Sequence, residues 1–324
     1  MRCLRILLFT SIFMLTACAS TANFKTPVTQ LATATDAAAA TVQSLDKKAT
    51  QRYNELAFES ALKETAHIKA LPDTGRPNSP GCETTSLECI LALYKTPHDK
   101  APRALNAPSL MSNSVRILAG IQNYVKALNT IVNADASGDV KDGMHNALLA
   151  AAAIATTVGS PIGPIIKALD QPVTESAVWI FKQYQDRRKL EALQKATQAA
   201  DPVISKAMDV IGQQIWQSNN SALAHLERQY SNEVSSLEQA KKPTATQLKS
   251  LLNAASDLNA ALHLKTSDMF SNLATAHHKL TEALKSPKPS YADVLVLSQN
   301  VLTMAGDIQK MIDAVTTSAQ SGKN

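Results

Sequence analysis

Residues 290–315 have the sequence SYADVLVLSQNVLTMAGDIQKMIDAV, and this stretch decides the fold class. Its apolar residues recur at alternating steps of three and four, which places them on one narrow face of an α-helix. They are Val294, Leu297, Val301, Met304, Ile308, Met311 and Val315. A seam of this kind packs against another helix, so the stretch predicts a coiled-coil-like helix within a larger helical assembly.

Similar apolar stripes run from Leu31 to about Ala70 and over residues 115–131, 204–237 and 248–284. No segment shows the sustained alternation of apolar and polar residues that is typical of a half-buried strand. The chain is therefore predicted to be all-α, an elongated antiparallel helical bundle with coiled-coil-like long helices. Asp201-Pro202 is expected to begin one of these helices, as an N-cap residue and a first-turn proline.

Two segments depart from the regular stripes. Residues 72–108 hold six of the 14 prolines, which excludes a continuous helix. We expect an ordered Pro-rich excursion with one short helical turn at 87–94, and it is the first candidate for a contact surface. Residues 147–169 are almost wholly apolar or small and are interrupted at Gly159-Ser160-Pro161. This pattern predicts an apolar helical hairpin.

The N-terminal residues 1–17 have the order of a secretory leader. Arg2 and Arg5 come first, followed by an apolar run and then small residues. The apolar run has about a dozen residues, whereas a permanent membrane helix needs roughly 20. Removal of the leader takes away both arginines, which leaves the mature chain close to neutral.

The leader ends in Leu15-Thr16-Ala17-Cys18, which resembles the lipobox of bacterial lipoproteins. This resemblance implies a signal peptide over 1–17 and diacylglyceryl and palmitate chains on Cys18. Ala19 stands where an aspartate would signal retention in the inner membrane, so the resemblance implies an outer-membrane anchor with the chain facing the periplasm. Ala17-Cys18-Ala19 also fits the A-x-A cleavage site of a soluble secreted protein.

The mature chain is expected to begin with a flexible tether over 18–29, followed by a helical bundle domain over 30–320 that includes the excursion. With Cys3 lost in the leader and Cys18 lipidated, Cys82 and Cys89 remain as a pair. In the oxidising periplasm such a pair predicts a disulfide bond that closes a short loop. Only His98 lies near these two cysteines, so the ligand count argues against a zinc site.

The sequence offers few signs of catalytic chemistry. None of the seven histidines belongs to an H-E-x-x-H motif. Neighbours on a helix point about 100° apart, so the adjacent pair His277-His278 cannot both face one ion without help, and both are expected to be solvent-exposed. No nucleophile elbow or phosphate-binding loop is present. We therefore predict no catalytic, cofactor-binding or metal-binding residues and no enzymatic activity. The scattered basic residues and an aromatic content of 4% argue against nucleic-acid binding.

These features predict a membrane-anchored periplasmic lipoprotein that acts by protein binding. It would be a structural or accessory component of the envelope or an immunity-type protein that captures a toxin. Long narrow helices expose much surface and enclose little volume, which suits protein contacts. The expected partners are the lipid bilayer, through Cys18, and another protein.

The alternative prediction is a membrane-active protein that inserts the hairpin 147–169 into a bilayer. In layout, long helical hairpins with an apolar helical tongue resemble the α-helical pore-forming toxins of the haemolysin E type. The opposing prediction is that the same residues form the best-buried part of the bundle, because a helix that is apolar on all sides is normally buried.

Overall fold

The computed structural model describes residues 22–63, 67–72, 89–94, 103–104, 109, 111–169, 181–240, 242–262, 266–286 and 289–321. Eight α-helices and three β-strands lie in these ranges. The helices are α1 (Ala22–Lys63), α2 (Ser112–Asn133), α3 (Ser137–Val158), α4 (Gly163–Leu169), α5 (Phe181–Gln239), α6 (Ala245–Leu262), α7 (Thr266–Lys285) and α8 (Ala292–Ser321). The strands are β1 (His67–Pro72), β2 (Cys89–Tyr94) and β3 (Arg103–Ala104).

The predicted all-α fold class is confirmed, since helices make up nearly all of the described chain. The exception is a small antiparallel sheet of order β1-β2-β3. His67 lies opposite Tyr94 in the first pair of strands, and Ala92 lies opposite Ala104 in the second. The predicted helical turn at 87–94 is therefore wrong. Periodicity cannot assign a short apolar run between breakers, and here the backbone pairs with a neighbouring strand.

Helix α1 differs from its prediction at both ends. It begins at Ala22, so a flexible tether is the wrong prediction for residues 22–29. Phe24 and Val28 are buried, and the rings of Phe24 and Tyr291 pack in a T-shaped arrangement with ring centroids 4.8 Å apart. Burial of these apolar side chains fixes the segment despite Pro27. At the other end, α1 stops at Lys63 rather than near residue 70.

Helix α5 continues through the point where a new helix was expected. It runs without a break from Phe181 to Gln239, with Pro202 in its interior, so the predicted helix start at Asp201 is wrong. A proline removes one backbone donor but does not have to end a helix that is held by packing. The predicted long helix over 248–284 is instead α6 and α7, with residues 263–265 outside the described ranges.

The chain divides into two compact units. Unit 1 comprises Met1–Ala40, Asn113–Ile215 and Lys265–Ile308, and unit 2 comprises Thr41–Ser112, Trp216–Leu264 and Gln309–Asn324. The single bundle domain over 30–320 stays a prediction. Each unit is described by itself below.

In unit 1, α1 and α2 run antiparallel. Thr29 Oγ1 donates to Asn129 Oδ1 over 3.2 Å, and Gln122 Nε2 donates to Asp36 Oδ1 over 2.8 Å. Seven residues separate the two contacts on each helix, in opposite directions. Helix α2 is also held to α5, where the Ser114 hydroxyl donates to Gln214 over 2.5 Å.

Two glycines bring α2 and α3 close together. A Cβ on Gly120 would lie 2.8 Å from Ile154 Cγ1, and a Cβ on Gly143 would lie 2.8 Å from Ile131 Cγ1. The contacts are eleven residues apart on each helix and run in opposite directions, so the helices form an antiparallel hairpin. Within unit 1, α2 thus contacts α1, α3 and α5.

Side-chain hydrogen bonds fix local structure in unit 2. Asp46 Oδ2 accepts from the Ser109 hydroxyl and its Oδ1 accepts from the Met111 N–H, each over 2.7 Å. Helix α6 begins with a capping box, because the Gln247 N–H donates to Thr244 Oγ1 over 3.2 Å and the Thr244 N–H donates to Gln247 Oε1 over 2.9 Å.

Candidate functional site

The two covalent sites that the sequence predicts are not tested by the structure. Cys18 and Cys82 lie outside the described residues, as does the leader over 1–17. Cys89 is the first residue of β2, and its side chain is also outside the described part. Lipidation at Cys18 and the disulfide bond between Cys82 and Cys89 therefore stay predictions. Of the excursion over 72–108, the structure describes mainly β2 and β3.

The predicted apolar hairpin is present as α3 and α4. Helix α3 ends at Val158 and is capped by Gly159, whose left-handed φ of 62° turns the chain so that the Ser160 N–H bonds to the Ala155 carbonyl over 2.8 Å. One face of the hairpin is packed, with Ala151, Ile154 and Ile165 fully or almost fully buried. The opposite face leaves three large apolar side chains partly exposed: Leu149, Ile162 and Ile166. Among the described helices, none is both long enough and apolar enough to cross a membrane.

A polar cluster inside unit 1 was not predicted. Four side chains from three helices meet there, namely Tyr124 from α2, Asp201 from α5 and the adjacent pair His277 and His278 from α7. Tyr124 is completely buried and His277 is 2% exposed, so the prediction of two solvent-exposed histidines is wrong for His277. The His278 side chain is 54% exposed.

The hydrogen bonds of the cluster form a chain. Asp201 accepts at both carboxylate oxygens, from His277 Nδ1 over 3.0 Å and from His278 Nδ1 over 2.7 Å. An ionised carboxylate can only accept, so Nδ1 carries a proton in both rings. The Tyr124 hydroxyl can then donate to Nε2 of His277, 2.8 Å away. The two adjacent rings thus bracket one carboxylate, although neighbours on a helix point about 100° apart.

Burial and charge set the titration of the two acidic groups. Burial raises the pKa of the Tyr124 hydroxyl well above its usual value, and the nearby negative charge of Asp201 raises it further. Partial burial also acts to raise the pKa of Asp201. The hydrogen bonds and charges of the two histidines outweigh that effect, so the pKa of this carboxyl lies below its ordinary value.

The cluster continues to the surface along α7. His278 Nε2 lies 3.4 Å from Glu282 Oε1, and Lys279 Nζ donates to Glu282 Oε2 over 2.8 Å. This contact with Lys279 lowers the pKa of Glu282 and raises that of Lys279. The outer half of the cluster is thus open to solvent, whereas the Tyr124–His277 half lies in the core.

The sequence contained a signal for the buried half of the cluster. His277 lies four residues after Leu273 and three before Leu280, so it falls on the apolar stripe of α7. Its neighbour His278 falls off that stripe. No comparable signal identifies Asp201, because an Asp-Pro pair is equally typical of a helix start.

The geometry limits what this cluster can do. The buried Tyr124 and His277 have no access to an external substrate, so their hydrogen bonds serve to fix α2, α5 and α7 to one another. In the described part of the chain, no three His, Cys, Asp or Glu side chains converge on a point that could hold a metal ion. Chemistry with a ligand from solution is confined to the outer half, at His278 and Glu282.

Comparisons with known proteins give no relative. No protein-family model, no curated protein and no solved structure matches this chain.

Proposed function

We propose that this chain is a lipid-anchored protein of the bacterial envelope that acts by binding another protein. The observation that carries the proposal is an apolar stripe on the surface of unit 2. Leu248 and Leu252 lie one turn apart on the same face of α6 and are 48% and 69% exposed. Among the residues of 216–262 whose burial is described, Ala254 is the only buried one. This part of the chain offers surface rather than core.

The leader supports the membrane side of the proposal. Cys18 directly follows the apolar run and two small residues, as in a lipobox. Acyl chains hold a protein at a bilayer because each buried methylene adds about 0.8 kcal/mol of membrane affinity. A Cys18→Ser variant is expected to lose palmitate incorporation and to leave the membrane fraction. If the variant still fractionates with membranes, the lipid anchor is refuted. The protein-binding surface is examined by a separate experiment.

Protein binding is tested by a photo-crosslinking amino acid placed at position 252 in the full chain in its native host. The control position is Thr246, which is exposed on the other flank of the same helix. We expect an adduct of one defined mass from position 252 and none from position 246. Equal adducts from both positions, or none from either, would refute α6 as the binding surface.

A second variant separates binding from folding. Replacing Leu248 and Leu252 together by glutamine should abolish the adduct from a crosslinker placed at position 255. Because both leucines are exposed, the free energy of unfolding should change by no more than about 0.5 kcal/mol for each substitution. A larger loss of stability would show that the stripe is part of a packed core and would count against the proposal.

The second candidate function is membrane activity of the apolar hairpin. Ile162 and Ile166 favour it, because they are 40% and 46% exposed and lie one turn apart at the start of α4. The packing of Ile154 against Gly120 argues against it, since insertion would break that contact. Leakage of liposomes by the purified chain, abolished by Ile162→Asp, would favour this function. The absence of leakage at every pH tested would eliminate it.

A further inference from the structure

The start of helix α1 lies close to the predicted lipid anchor. Phe24 and Val28 are buried, so α1 is fixed in the core of unit 1 from its first turns. Cys18 precedes Ala22 by four residues, which span at most about 14 Å when fully extended. We propose that the bilayer holding Cys18 lies against this end of unit 1 and that the exposed apolar face of the hairpin α3–α4 is turned away from it. This inference rests on the lipid anchor of the proposed function.

The start of α1 shares its end of unit 1 with parts of three other helices. Thr29 is hydrogen-bonded to Asn129, which lies in the last two turns of α2. Because the two helices are antiparallel, the turn at 134–136 between α2 and α3 lies beside the start of α1. The Phe24 ring packs on the ring of Tyr291, which brings the beginning of α8 to the same end. These segments form the surface that faces the bilayer.

The tip of the hairpin lies at the opposite end of unit 1. Gly143 of α3 lies against Ile131 of α2, close to the level of Thr29 on α1. Helices α1 and α3 are both antiparallel to α2, so they run in the same direction. Gly159 follows Gly143 by 16 residues and therefore lies farther from the start of α1. At about 1.5 Å per residue, the levels of Ala22 and Gly159 differ by roughly 30 Å.

Helices α1 and α3 also pack on nearly opposite sides of α2. Helix α1 contacts Gln122 and Asn129 of α2, whereas α3 contacts Gly120 and Ile131. Each of the first two residues is two positions away from one of the second two, and two positions turn a helix by about 200°. Since neighbouring helix axes are about 8 to 10 Å apart, the axes of α1 and α3 are separated by about 16 to 20 Å.

The exposed apolar face of the hairpin points away from α2. Leu149 precedes Ile154, the residue in contact with Gly120, by five positions, and five positions turn a helix by about 140°. A bilayer against this face would have α3 and α2 between it and α1. Residues 19–21 would then have to be stretched to their full length or beyond it, which the chain entropy opposes. The apolar face is therefore left accessible on the side away from the anchoring bilayer.

The proposal is tested with the acylated full chain in liposomes whose lipids carry a nitroxide quencher at the headgroup. A fluorescent amino acid is placed either at Ser137, at the start of α3, or at Ile162, at the tip of the hairpin, and both positions are exposed. We expect strong quenching at position 137 and none at position 162. Equal quenching at the two positions, or stronger quenching at position 162, would overturn the proposal.

A longer tether is the matched control. The anchored end carries exposed charges of both signs, among them Lys25 and Asp139, so the short tether rather than a net charge holds it at the bilayer. A Gly-Ser insertion of about ten residues between Ala19 and Ser20 has a root-mean-square span of roughly 16 to 19 Å. It should weaken the quenching at position 137. Quenching that the insertion leaves unchanged would count against the proposal.

Flotation separates a failure of the orientation from a failure of the anchor. If the wild-type chain floats with the liposomes and Cys18→Ser does not, the anchor is present, and quenching at position 162 would then refute the orientation alone. If the acylated chain does not float, or if Cys18→Ser floats equally well, the anchor is refuted together with the orientation that rests on it.

Discussion

A methyl group added at Gly120 should destabilise unit 1, whereas a methyl group added at a helix glycine with open space around it should stabilise the fold. In Gly120→Ala the new Cβ would lie 2.8 Å from Ile154 Cγ1. This atom sits next to a branched Cβ with restricted rotamers, so the side chain cannot swing away. Overpacking of this kind costs about 1 to 3 kcal/mol, whereas Gly to Ala in a helix interior contributes about 0.5 to 1 kcal/mol of stability.

The matched control is Gly306→Ala. Gly306 lies in the interior of α8, and a Cβ there would meet no atom within 4 Å. This substitution should raise the free energy of unfolding by about 0.5 to 1 kcal/mol, since only the helix propensity changes. The two variants should therefore differ by about 1 to 3 kcal/mol, which isolates the cost of the steric contact. Urea denaturation followed by circular dichroism measures both values.

A double-mutant cycle identifies the contact responsible. In an Ile154→Ala background the obstructing side chain is absent, so Gly120→Ala should become stabilising. At Gly143 the rescue by Ile131→Ala should be smaller, because the Ala127 carbonyl oxygen and the Ile131 backbone nitrogen also lie 3.3 Å from the new Cβ. If Gly120→Ala stabilises the protein as much as Gly306→Ala does, the close approach of α2 and α3 is refuted.

Three further predictions concern single groups. Tyr124→Phe should lower the free energy of unfolding by about 1 to 3 kcal/mol, because it leaves the buried His277 Nε2 without its hydrogen-bond partner. The control Tyr291→Phe should lower it less, since the buried Tyr291 hydroxyl has no hydrogen-bond partner among the described residues. The pKa of Asp201 is lower in the folded chain, so its contribution to stability is present above the unfolded pKa of about 4 and is lost as the pH falls through the folded pKa. The difference in unfolding free energy between the wild type and Asp201→Asn should therefore shrink on acidification below pH about 4. A difference that stays constant with pH would contradict this prediction. Thiol titration of the unfolded, unreduced chain should find Cys82 and Cys89 oxidised, and their joint replacement by serine should cost roughly 2 to 3 kcal/mol.

Helical structure could be predicted from the sequence wherever the apolar stripe was long. The seam that begins at Val294 is buried at Val301 and Ile308, as predicted. Between these residues the buried positions are Ser298 and Ala305, one residue after the predicted Leu297 and Met304, which are only partly buried. The hairpin turn at Gly159 was also predicted, because glycine is the residue best able to adopt a positive φ. These features depend on neighbouring residues in the chain, so the sequence carries them directly.

The features that depend on distant residues were not predicted. Residues 89–94 form a strand because β1, about twenty residues away, supplies the pairing groups. Asp201 lies within a helix, where two histidines from α7 donate to its carboxylate oxygens. A short apolar run can form either a helix or a strand, and an Asp-Pro pair can either begin a helix or lie inside one. Tertiary contacts determine which structure forms in each case.

The same dependence on distant contacts makes Asp201 the residue that joins the buried half of the cluster to its exposed half. One of its oxygens faces the buried ring of His277 and the other faces His278 beside Glu282. Tyr124→Phe should therefore lower the free energy of unfolding, whereas Glu282→Gln should leave it nearly unchanged because exposed ion pairs contribute little. If Glu282→Gln destabilises the chain as much as Tyr124→Phe does, the division of the cluster into a buried structural half and an exposed half is wrong.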